Sequence, residues 1–216
     1  EITALYKASL VGGESFTDLT AGLGVDCSFL ARRFRRADYV ERQETLCRLA
    51  AHNFPLLGLD HIRVHHADAL EYLREMEPVD CLFLDPARRD SHGGKTVAIT
   101  ECEPDVCALE SLLVEKGRKV MVKLSPMLDM ASALRDLKYI RELHVIAVNN
   151  ECKELTAVLY RMNSVNESSE KEVVISCEQA VHNSLSEPFT YTLSEEKNAV
   201  CQLADRVETY LYEPGA

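Results

Sequence analysis

Hydrophobic and polar positions alternate between two patterns over the first 162 residues. Compact apolar runs predict β-strands at 16–19, 37–41, 61–65, 79–84 and 118–123. Apolar residues at helical spacing predict helices at 27–34, with Asp26 as its N-cap, and at 43–57, 69–75, 105–115 and 129–137. Residues 1–14 are interpreted as a lead-in to this alternation, with a break at Gly12-Gly13. Strands that alternate with helices predict an α/β fold with a doubly wound, mostly parallel sheet.

The two segments that follow break this alternation. Residues 142–148 and 155–161 are both predicted strands, but the connection at 149–153 is too short for a helical crossover. They are therefore predicted to pair as an antiparallel hairpin that completes the sheet.

The composition changes near residue 163, which predicts a domain boundary. Residues 163–171 are rich in Asn, Ser and Glu, which is typical of a linker; further strands are predicted at 173–177 and 189–193 and a helix at 197–207. We expect residues 1–163 to form one domain and residues 164–216 to be a linker and a partial α+β domain. Because the sequence begins without Met and stops abruptly, we also expect it to be a piece of a longer protein.

Composition excludes several classes of protein. Of the 216 residues, 46% are apolar and 27% are charged, which is ordinary for a globular protein. No apolar run approaches the roughly 20 residues of a membrane span. The net charge is −11, of which residues 164–216, with 3 basic and 10 acidic side chains, supply −7. This charge argues against a generally basic nucleic-acid-binding surface.

The cysteines and histidines indicate neither disulfides nor a metal site. There are eight cysteines without a C-x-x-C pair, and no signal peptide is recognised, so reduced thiols and a cytoplasmic location are expected. His65 and His66 are adjacent in a predicted strand and would face opposite sides of the sheet, which disfavours a metal site with His61.

Candidate ligand-binding residues follow the predicted strands, because ligands of doubly wound sheets bind at the carboxyl ends of the strands. After the first strand, Asp18 precedes a glycine turn, Gly22-Leu23-Gly24, where the backbone can approach a ligand closely. Cys27 stands where a dinucleotide-binding loop would have its third glycine, which disfavours a pyrophosphate site. Glu41 ends the second strand, 23 residues after Asp18 in the sequence. At this spacing an acid can accept hydrogen bonds from the hydroxyls of a ribose.

Two further strand ends carry acids. Asp68 follows the third strand, where it would accept a hydrogen bond from an adenine amino group or cap the next helix. The fourth strand ends in Asp85-Pro86-Ala87-Arg88-Arg89, in which the proline fixes the backbone beside the acid. An acid there does little for stability, so a role in binding or catalysis is favoured.

Together these residues resemble the class I S-adenosylmethionine-dependent methyltransferases over roughly residues 15–162. The resemblance implies a seven-stranded, Rossmann-like sheet whose last strand is antiparallel. It implies that the methionine part of S-adenosylmethionine is contacted by Asp18, Thr20, Ala21, Gly22 and Gly24. It also implies that the ribose binds Glu41 and that the adenine binds Asp68, Ala69 and the flanking Arg42.

The Asp85-Pro86-Ala87-Arg88 segment resembles motifs of two groups of nucleic-acid methyltransferases. It is similar to the D-P-P-[FYW] motif of enzymes that methylate amino groups, but Arg88 replaces the aromatic residue that would stack on a base; a guanidinium can also stack. It is similar to the D-P-[PA]-R motif of RNA uracil-5-methyltransferases, but Leu124 stands where those enzymes have a nucleophilic cysteine.

The resemblance implies methyl transfer to a nitrogen of an RNA base. Asp85 and the Pro86 carbonyl would accept hydrogen bonds from the target amino group and orient its lone pair. Arg88 and Arg89 would hold a substrate phosphate or carboxylate. The catalytic residues are therefore predicted to be Asp85, Pro86 and Arg88.

Longer segments resemble a bacterial methyltransferase group whose members carry a THUMP-like domain, of a type associated with RNA binding, after the catalytic one. These segments are 6–9, 18–26 and 149–155. By this resemblance residues 164–216 begin such a domain, and RNA is the expected partner. Two alternatives stay open: an enzyme acting on a small molecule or a protein side chain, and a non-catalytic module that binds cofactor or RNA.

Overall fold

The structure is a computed structural model that describes residues 1–88, 99–161, 172–181 and 184–200, without the side chains of Arg88 and Glu101. The α-helices are α1 (Ile2–Ser9), α2 (Val25–Leu30), α3 (Glu44–Leu56), α4 (Ala69–Glu75), α5 (Val106–Lys116), α6 (Met130–Asp136) and α7 (Leu193–Asn198). The strands are β1 (Gly13–Asp18), β2 (Phe34–Glu41), β3 (Ile62–His66), β4 (Val79–Leu84), β5 (Ala87–Arg88), β6 (Cys102–Glu103), β7 (Gly117–Leu124), β8 (Ile140–Val148), β9 (Glu151–Tyr160), β10 (Val174–Val181), β11 (Ser184–Leu185) and β12 (Phe189–Thr192).

One sheet organises the described residues. Its strands lie in the order β11-β10-β8-β9-β7-β4-β1-β2-β3, and β12 pairs with β10 outside this path. Strands β1, β2, β3, β4 and β7 are parallel to their neighbours in that group, whereas β9 is antiparallel to both β7 and β8. The strand order reverses beside β1, whose neighbours are β2 and β4. This switch point is where a doubly wound sheet opens a crevice for a ligand.

Both faces of the sheet are buried, as the sequence predicted. In β4, Leu82 and Leu84 belong to the core beneath α4 and α5, whereas Cys81 and Phe83 belong to the core beneath α2 and α3. Because successive side chains of a strand point to opposite faces, a strand covered on both sides must be apolar throughout. This explains the continuous hydrophobic run at residues 81–84 within β4.

The predicted antiparallel hairpin is confirmed. Strands β8 and β9 pair antiparallel. Their turn consists of Asn149 and Asn150, both in the left-handed region with φ of 51° and 62°. Asparagine tolerates this conformation better than most residues, and two such residues are typical of a tight hairpin turn.

The amino-terminal region differs from the prediction in two places. The lead-in at residues 1–14 contains a helix that was not predicted, α1, whose buried face consists of Ala4, Tyr6, Lys7 and Ala8. Helix α2 begins at Val25 with Gly24 as its N-cap, and it ends at Leu30 rather than at residue 34. Asp26 lies in the first turn, where its carboxylate binds lysines instead of capping the helix.

The sheet continues beyond the seven strands that the methyltransferase resemblance implied. Strand β10 adds parallel to β8, and β11 and β12 pair with β10, so the described sheet has ten strands. The prediction of a helix at 197–207 was wrong in its bounds: α7 spans Leu193–Asn198, and residues 199–200 are not helical. Residues 201–207 and the linker residues 163–171 lie outside the described residues. The boundary at residue 163 stays a prediction. No helix in the described parts of the chain has the length and apolar character needed to cross a membrane.

Candidate functional site

A cleft of about 470 Å³ lies at the switch point, at the carboxyl ends of β1, β2 and β4. One side is formed by residues that follow these strands and β3, and the other by the start of α5. Seven of the residues singled out in the sequence line it: Thr20, Gly22, Glu41, Arg42, Asp68, Ala69 and Asp85. The fold thus brings together side chains from four separate strand ends.

The glycine turn after β1 is held against β2 by specific contacts. Ala21 N donates to the Val40 carbonyl at 3.1 Å, and the Tyr39 hydroxyl donates to the Gly22 carbonyl. Gly24 has φ of 75°, and a Cβ there would lie 3.0 Å from the Phe54 ring. Gly24 is therefore required for both conformation and space.

Glu41 connects this turn to the second strand. It is buried; its Oε2 accepts from Gly22 N at 3.0 Å and its Oε1 accepts from Gln43 N at 2.8 Å. Each carboxylate oxygen has two lone pairs, so both can accept a further hydrogen bond from a ligand hydroxyl. The backbone contacts fix the carboxylate in the cleft, which suits it to bind a ribose.

Asp68 caps a helix and lines the cleft. As the N-cap of α4, its Oδ1 accepts from Leu70 N at 2.8 Å and from Glu71 N at 3.2 Å. Both capping bonds use one oxygen, so capping is compatible with a ligand contact through the other oxygen. Ala69 lines the cleft beside it.

Asp85 lies at the junction of two clefts. Of the described residues it alone lines both the large cleft and a smaller one of about 210 Å³. Its backbone N–H donates to Thr20 Oγ1 at 2.6 Å, and its Oδ2 lies 2.7 Å from Lys123 Nζ. Pro86 is buried and lines the smaller cleft. Asp85 and Pro86 therefore lie where a molecule bound in the large cleft would face a molecule bound in the smaller cleft.

Three of the predicted cofactor residues lie outside the cleft lining. Ala21 and Gly24 belong to the folded turn, and Asp18 is 1% exposed beneath it. Burial raises the pKa of Asp18 well above its usual range, as do the charges of Asp26 and Asp85. The backbone N–H of Thr20 donates to Asp18 Oδ1 at 3.1 Å, so Asp18 shapes the turn. A direct cofactor contact by these three residues stays a prediction.

The basic residues after Pro86 are described only in part. The backbone of Arg88 pairs with Cys102 in the two-stranded sheet β5–β6, whereas its side chain and all of Arg89 lie outside the described residues. Their contacts with a substrate stay predictions.

Sequence reasoning missed the far side of the cleft. Glu103, Pro104 and Asp105 line it, together with Ala108 and Leu109 from the first turns of α5. Glu103 Oε1 lies 3.3 Å from the Arg42 guanidinium, so an ion pair bridges the two sides. The available signal was their position at the start of the helix predicted at 105–115, after β4. Pro104 was interpreted only as the start of that helix.

Sequence reasoning also missed the charges behind Asp85. Burial opposes protonation of Lys123, but the hydrogen bond to Asp85 and the charges of Asp85, Asp26 and Glu154 raise the pKa of Lys123 above its usual range. Lys123 is therefore an ammonium that donates into the site. The smaller cleft is lined by Lys123 together with Ser125, Lys153 and Glu154.

Comparisons with known proteins bear on the fold. No protein-family model matches the chain, and no curated protein matches it. Two similar crystal structures carry the name "putative methyltransferase". One, from Porphyromonas gingivalis W83, is 31% identical over 99% of this chain and 52% of its own, with a TM-score of 0.83. The other, from Streptococcus mutans in complex with SAH, is 13% identical over 74% of this chain and 96% of its own, with a TM-score of 0.52.

The chain has the Rossmann-like methyltransferase fold. An rRNA methylase from Streptococcus thermophilus shares it, at 14% identity over 75% of this chain and 94% of its own, with a TM-score of 0.51. At this identity the likeness concerns the fold alone. The chain spans about half the length of the Porphyromonas gingivalis protein. The large cleft is the crevice at the switch point of this sheet, where doubly wound folds bind ligands.

Proposed function

We propose that this chain is an S-adenosylmethionine-dependent methyltransferase that methylates a nitrogen of an RNA base. The observation that carries the proposal is the convergence of Glu41, Asp68 and Asp85 on one cleft at the switch point of a methyltransferase fold. The names of similar structures support methyl transfer, and one of those proteins was crystallised with SAH. The rRNA methylase supports RNA as the substrate class to be tested first.

The residues of the large cleft fit the proposed cofactor. Its volume of about 470 Å³ lies within the usual range for small-molecule sites. Glu41 would bind the ribose hydroxyls, Asp68 and Ala69 the adenine, and the turn at Thr20 and Gly22 the methionine part. The bound cofactor supplies an activated methyl group on its sulfonium, so the protein contributes chiefly binding and orientation.

The residues at Asp85 fit an amino group as methyl acceptor. The carboxylate of Asp85 and the carbonyl of Pro86 are hydrogen-bond acceptors, and together they would hold the two N–H bonds of an exocyclic amine. The lone pair of the nitrogen is then directed away from them. Alignment of two bound reactants can lower a barrier by about 7–11 kcal/mol in favourable cases. The smaller cleft would admit the base.

One specific contact favours a second kind of group as the recipient of the methyl. Lys123 Nζ lies 2.7 Å from Asp85 Oδ2, so the site presents an N–H donor beside a carboxylate acceptor. A hydroxyl group both donates and accepts, and so complements this pair, whereas an amine held for attack only donates. An RNA hydroxyl is therefore the second candidate for the methylated group.

A labelled methyl-transfer assay tests the proposal. The wild-type chain is incubated with methyl-labelled S-adenosylmethionine and total RNA from cells that lack the protein, and the RNA is digested to nucleosides. Label on a base nitrogen is the expected result, and label on a ribose oxygen would replace it with the second candidate. Label in protein or small molecules but not in RNA would support the alternative substrate classes. Cofactor binding without transfer to any acceptor would indicate a non-catalytic module.

The remaining expectations belong to the same proposal. We propose that residues 164–216 begin a THUMP-like domain that contributes to RNA binding, and that the protein acts in the cytoplasm. RNA binding that weakens steeply as salt increases would support the first, since phosphate contacts release counterions.

A further inference from the structure

Five ionisable side chains form a continuous series of contacts from α1 to Asp85. We call this series the charge chain; its members are Glu154, Lys7, Asp26, Lys123 and Asp85. Lys7 Nζ contacts Glu154 Oε1 on β9 and lies 3.0 Å from Asp26 Oδ1 on α2. Asp26 Oδ2 lies 3.3 Å from Lys123 Nζ, which contacts Asp85 Oδ2 at 2.7 Å. Asp26 thus binds a different lysine with each oxygen, and the chain of contacts connects α1, α2, β7 and β9 to the proposed acceptor site.

Burial increases from Asp85 to Lys7 along this series of contacts. The side chains of Asp85 and Lys123 are 44% and 26% exposed, that of Asp26 is 16% exposed, and that of Lys7 is fully buried. A buried ammonium is costly unless it is paired, and Lys7 is paired twice. Its position is therefore strongly determined by Asp26 and Glu154.

Lys7 and Asp26 are not among the residues that line either described cleft. They are placed to reach the site only through other side chains. Asp26 gives the Lys123 ammonium a second contact besides Asp85, so the end of the long and flexible lysine side chain is held by two carboxylates. Asp85 is in turn fixed twice, by Lys123 at its carboxylate and by Thr20 at its backbone. An exposed carboxylate without such contacts would sample several rotamers.

We propose that Asp26 and Lys7 are positioning residues that orient Asp85 through Lys123. This inference rests on the proposed function, because it assigns the oriented group to the methyl acceptor. Asp26 aligns the Lys123 ammonium, and Lys7 compensates and anchors Asp26. Glu154, which lines the smaller cleft, completes the pairing of Lys7.

The groups around this chain make it a single electrostatic unit. Asp18 lies beneath it and feels the charges of Asp26, Asp85 and Lys123. The five-membered chain has three carboxylates and two ammonium groups, so removal of one member changes the field at its neighbours. Variants of Asp26 are therefore expected to affect the turnover of bound substrate more than the binding of cofactor at Glu41 and Asp68.

A double-mutant cycle tests the inference. Asp26→Asn, Lys123→Met and the double variant are assayed for methyl transfer to RNA, and S-adenosylmethionine affinity is measured by calorimetry. We expect Asp26→Asn to lower kcat about 10- to 100-fold with cofactor Kd changed less than about threefold. If Asp26 acts through Lys123, it should have little further effect in the Lys123→Met background, because mutations in one network are not additive. Independent, multiplying effects on kcat would overturn the inference.

Tyr6→Phe provides the matched control. Tyr6 is the neighbour of Lys7 on α1, is also buried, and binds Glu178 and His144 outside the charge chain. It should lower thermal stability and leave kcat within about twofold. Equal losses of kcat in Tyr6→Phe and Asp26→Asn would show that Asp26 has only a structural role, and would overturn the inference.

Two further results separate the possible failures. If Asp26→Asn does not fold, Asp26→Glu replaces it, because it keeps the charge but displaces both contacts. Asp26→Glu should lower kcat with little change in cofactor Kd. An unchanged kcat contradicts the inference. If the wild-type chain transfers no methyl group, the proposed function fails and the inference fails with it. An active wild type with an unaffected Asp26→Asn variant contradicts the inference alone.

Discussion

Two buried polar networks begin at adjacent residues of α1 and end in different places. Lys7 begins the charge chain that reaches Asp85 in the cleft. Tyr6 donates to Glu178 Oε1 on β10 at 2.7 Å, and its hydroxyl lies 2.7 Å from His144 Nδ1 on β8. His144 continues to Glu142, which accepts from the Tyr160 hydroxyl at 2.9 Å. We call the second set, Tyr6, Glu142, His144, Tyr160 and Glu178, the hairpin network.

The difference between the two networks lies in where their contacts end. No member of the hairpin network is among the residues that line the two described clefts, and its contacts join α1 to β8, β9 and β10. The charge chain ends at a half-exposed carboxylate between the clefts. Burial and hydrogen bonding are thus similar in both, and only the end point distinguishes a stabilising network from one that can influence chemistry.

The largest effect should follow from a change at Asp85. Asp85→Ala removes the hydrogen-bond acceptor proposed to hold the target amine and its contact with Lys123, so we expect kcat for methyl transfer to fall about 10²- to 10³-fold, the usual cost of losing one preorganised hydrogen-bonding group. Cofactor affinity should change only a few-fold.

Asp80→Ala is the matched control for Asp85→Ala. Asp80 lies on β4, at the end of the strand opposite Asp85, where its Oδ2 accepts from Glu14 N and Ser15 N. It should reduce stability without reducing kcat. Full methyl transfer by Asp85→Ala would show that Asp85 does not hold the acceptor.

The next largest effect concerns Glu41. Glu41→Gln keeps the size of the side chain but removes the charge, and one hydrogen bond to a charged group contributes about 1.5–3 kcal/mol. We therefore expect the Kd for S-adenosylmethionine to increase about 10- to 100-fold. Glu44→Gln, an exposed residue three positions later, should leave Kd unchanged. Equal affinities of Glu41→Gln and wild type would place the ribose elsewhere.

A change in the hairpin network should affect stability alone. Tyr6→Phe removes the hydroxyl that bonds to Glu178 and His144. Glu178 Oε1 keeps the hydrogen bond from Ser176 Oγ, but His144 Nδ1 loses its partner, at a cost of about 1–3 kcal/mol. For a chain of this length we expect Tm to decrease by about 2–4 °C for each kcal/mol lost. Calorimetric unfolding measures this change, and Ser9→Ala on the same helix should have a much smaller effect. A loss of methyl transfer larger than the loss of folded protein would remove the distinction between the networks.

The smallest effect is a dependence of stability on pH. The hydrogen bond from His144 lowers the pKa of Glu142, burial opposes this, and the Tyr160 hydroxyl lowers it further. Because the folded-state pKa is depressed, the stabilisation is complete above the usual pKa of a glutamate and is lost as the pH falls through the lowered value. Glu142→Gln should therefore lose less stability than wild type on acidification below about pH 4.5. Denaturant titrations at several pH values measure this; identical acid slopes would contradict the assigned shift.

The sequence predicted the sheet better than the charges around it. Strand β4 was recognisable because its doubly covered part, residues 81–84, is apolar at every position. The β8–β9 hairpin was recognisable because the connection at 149–153 is too short for a helical crossover. Asp68 was recognised as a cap because its contacts are local.

Features that depend on distant contacts were not predictable in this way. Helix α1 was missed because its buried face contains Lys7, whose partners Asp26 and Glu154 are far along the chain. Asp26 had the local appearance of a cap, and only the tertiary structure turns its carboxylate toward two lysines. The pairing of β10 with β8 was likewise not visible, since the pattern of a strand does not identify its neighbour.

The account depends most directly on cofactor binding in the large cleft. The decisive measurement is a calorimetric titration of the wild-type chain with S-adenosylmethionine, with Glu41→Gln titrated in parallel. The account predicts binding to one site per chain by the wild type and weaker binding by Glu41→Gln. No detectable heat at millimolar S-adenosylmethionine, or equal binding by both proteins, would contradict it.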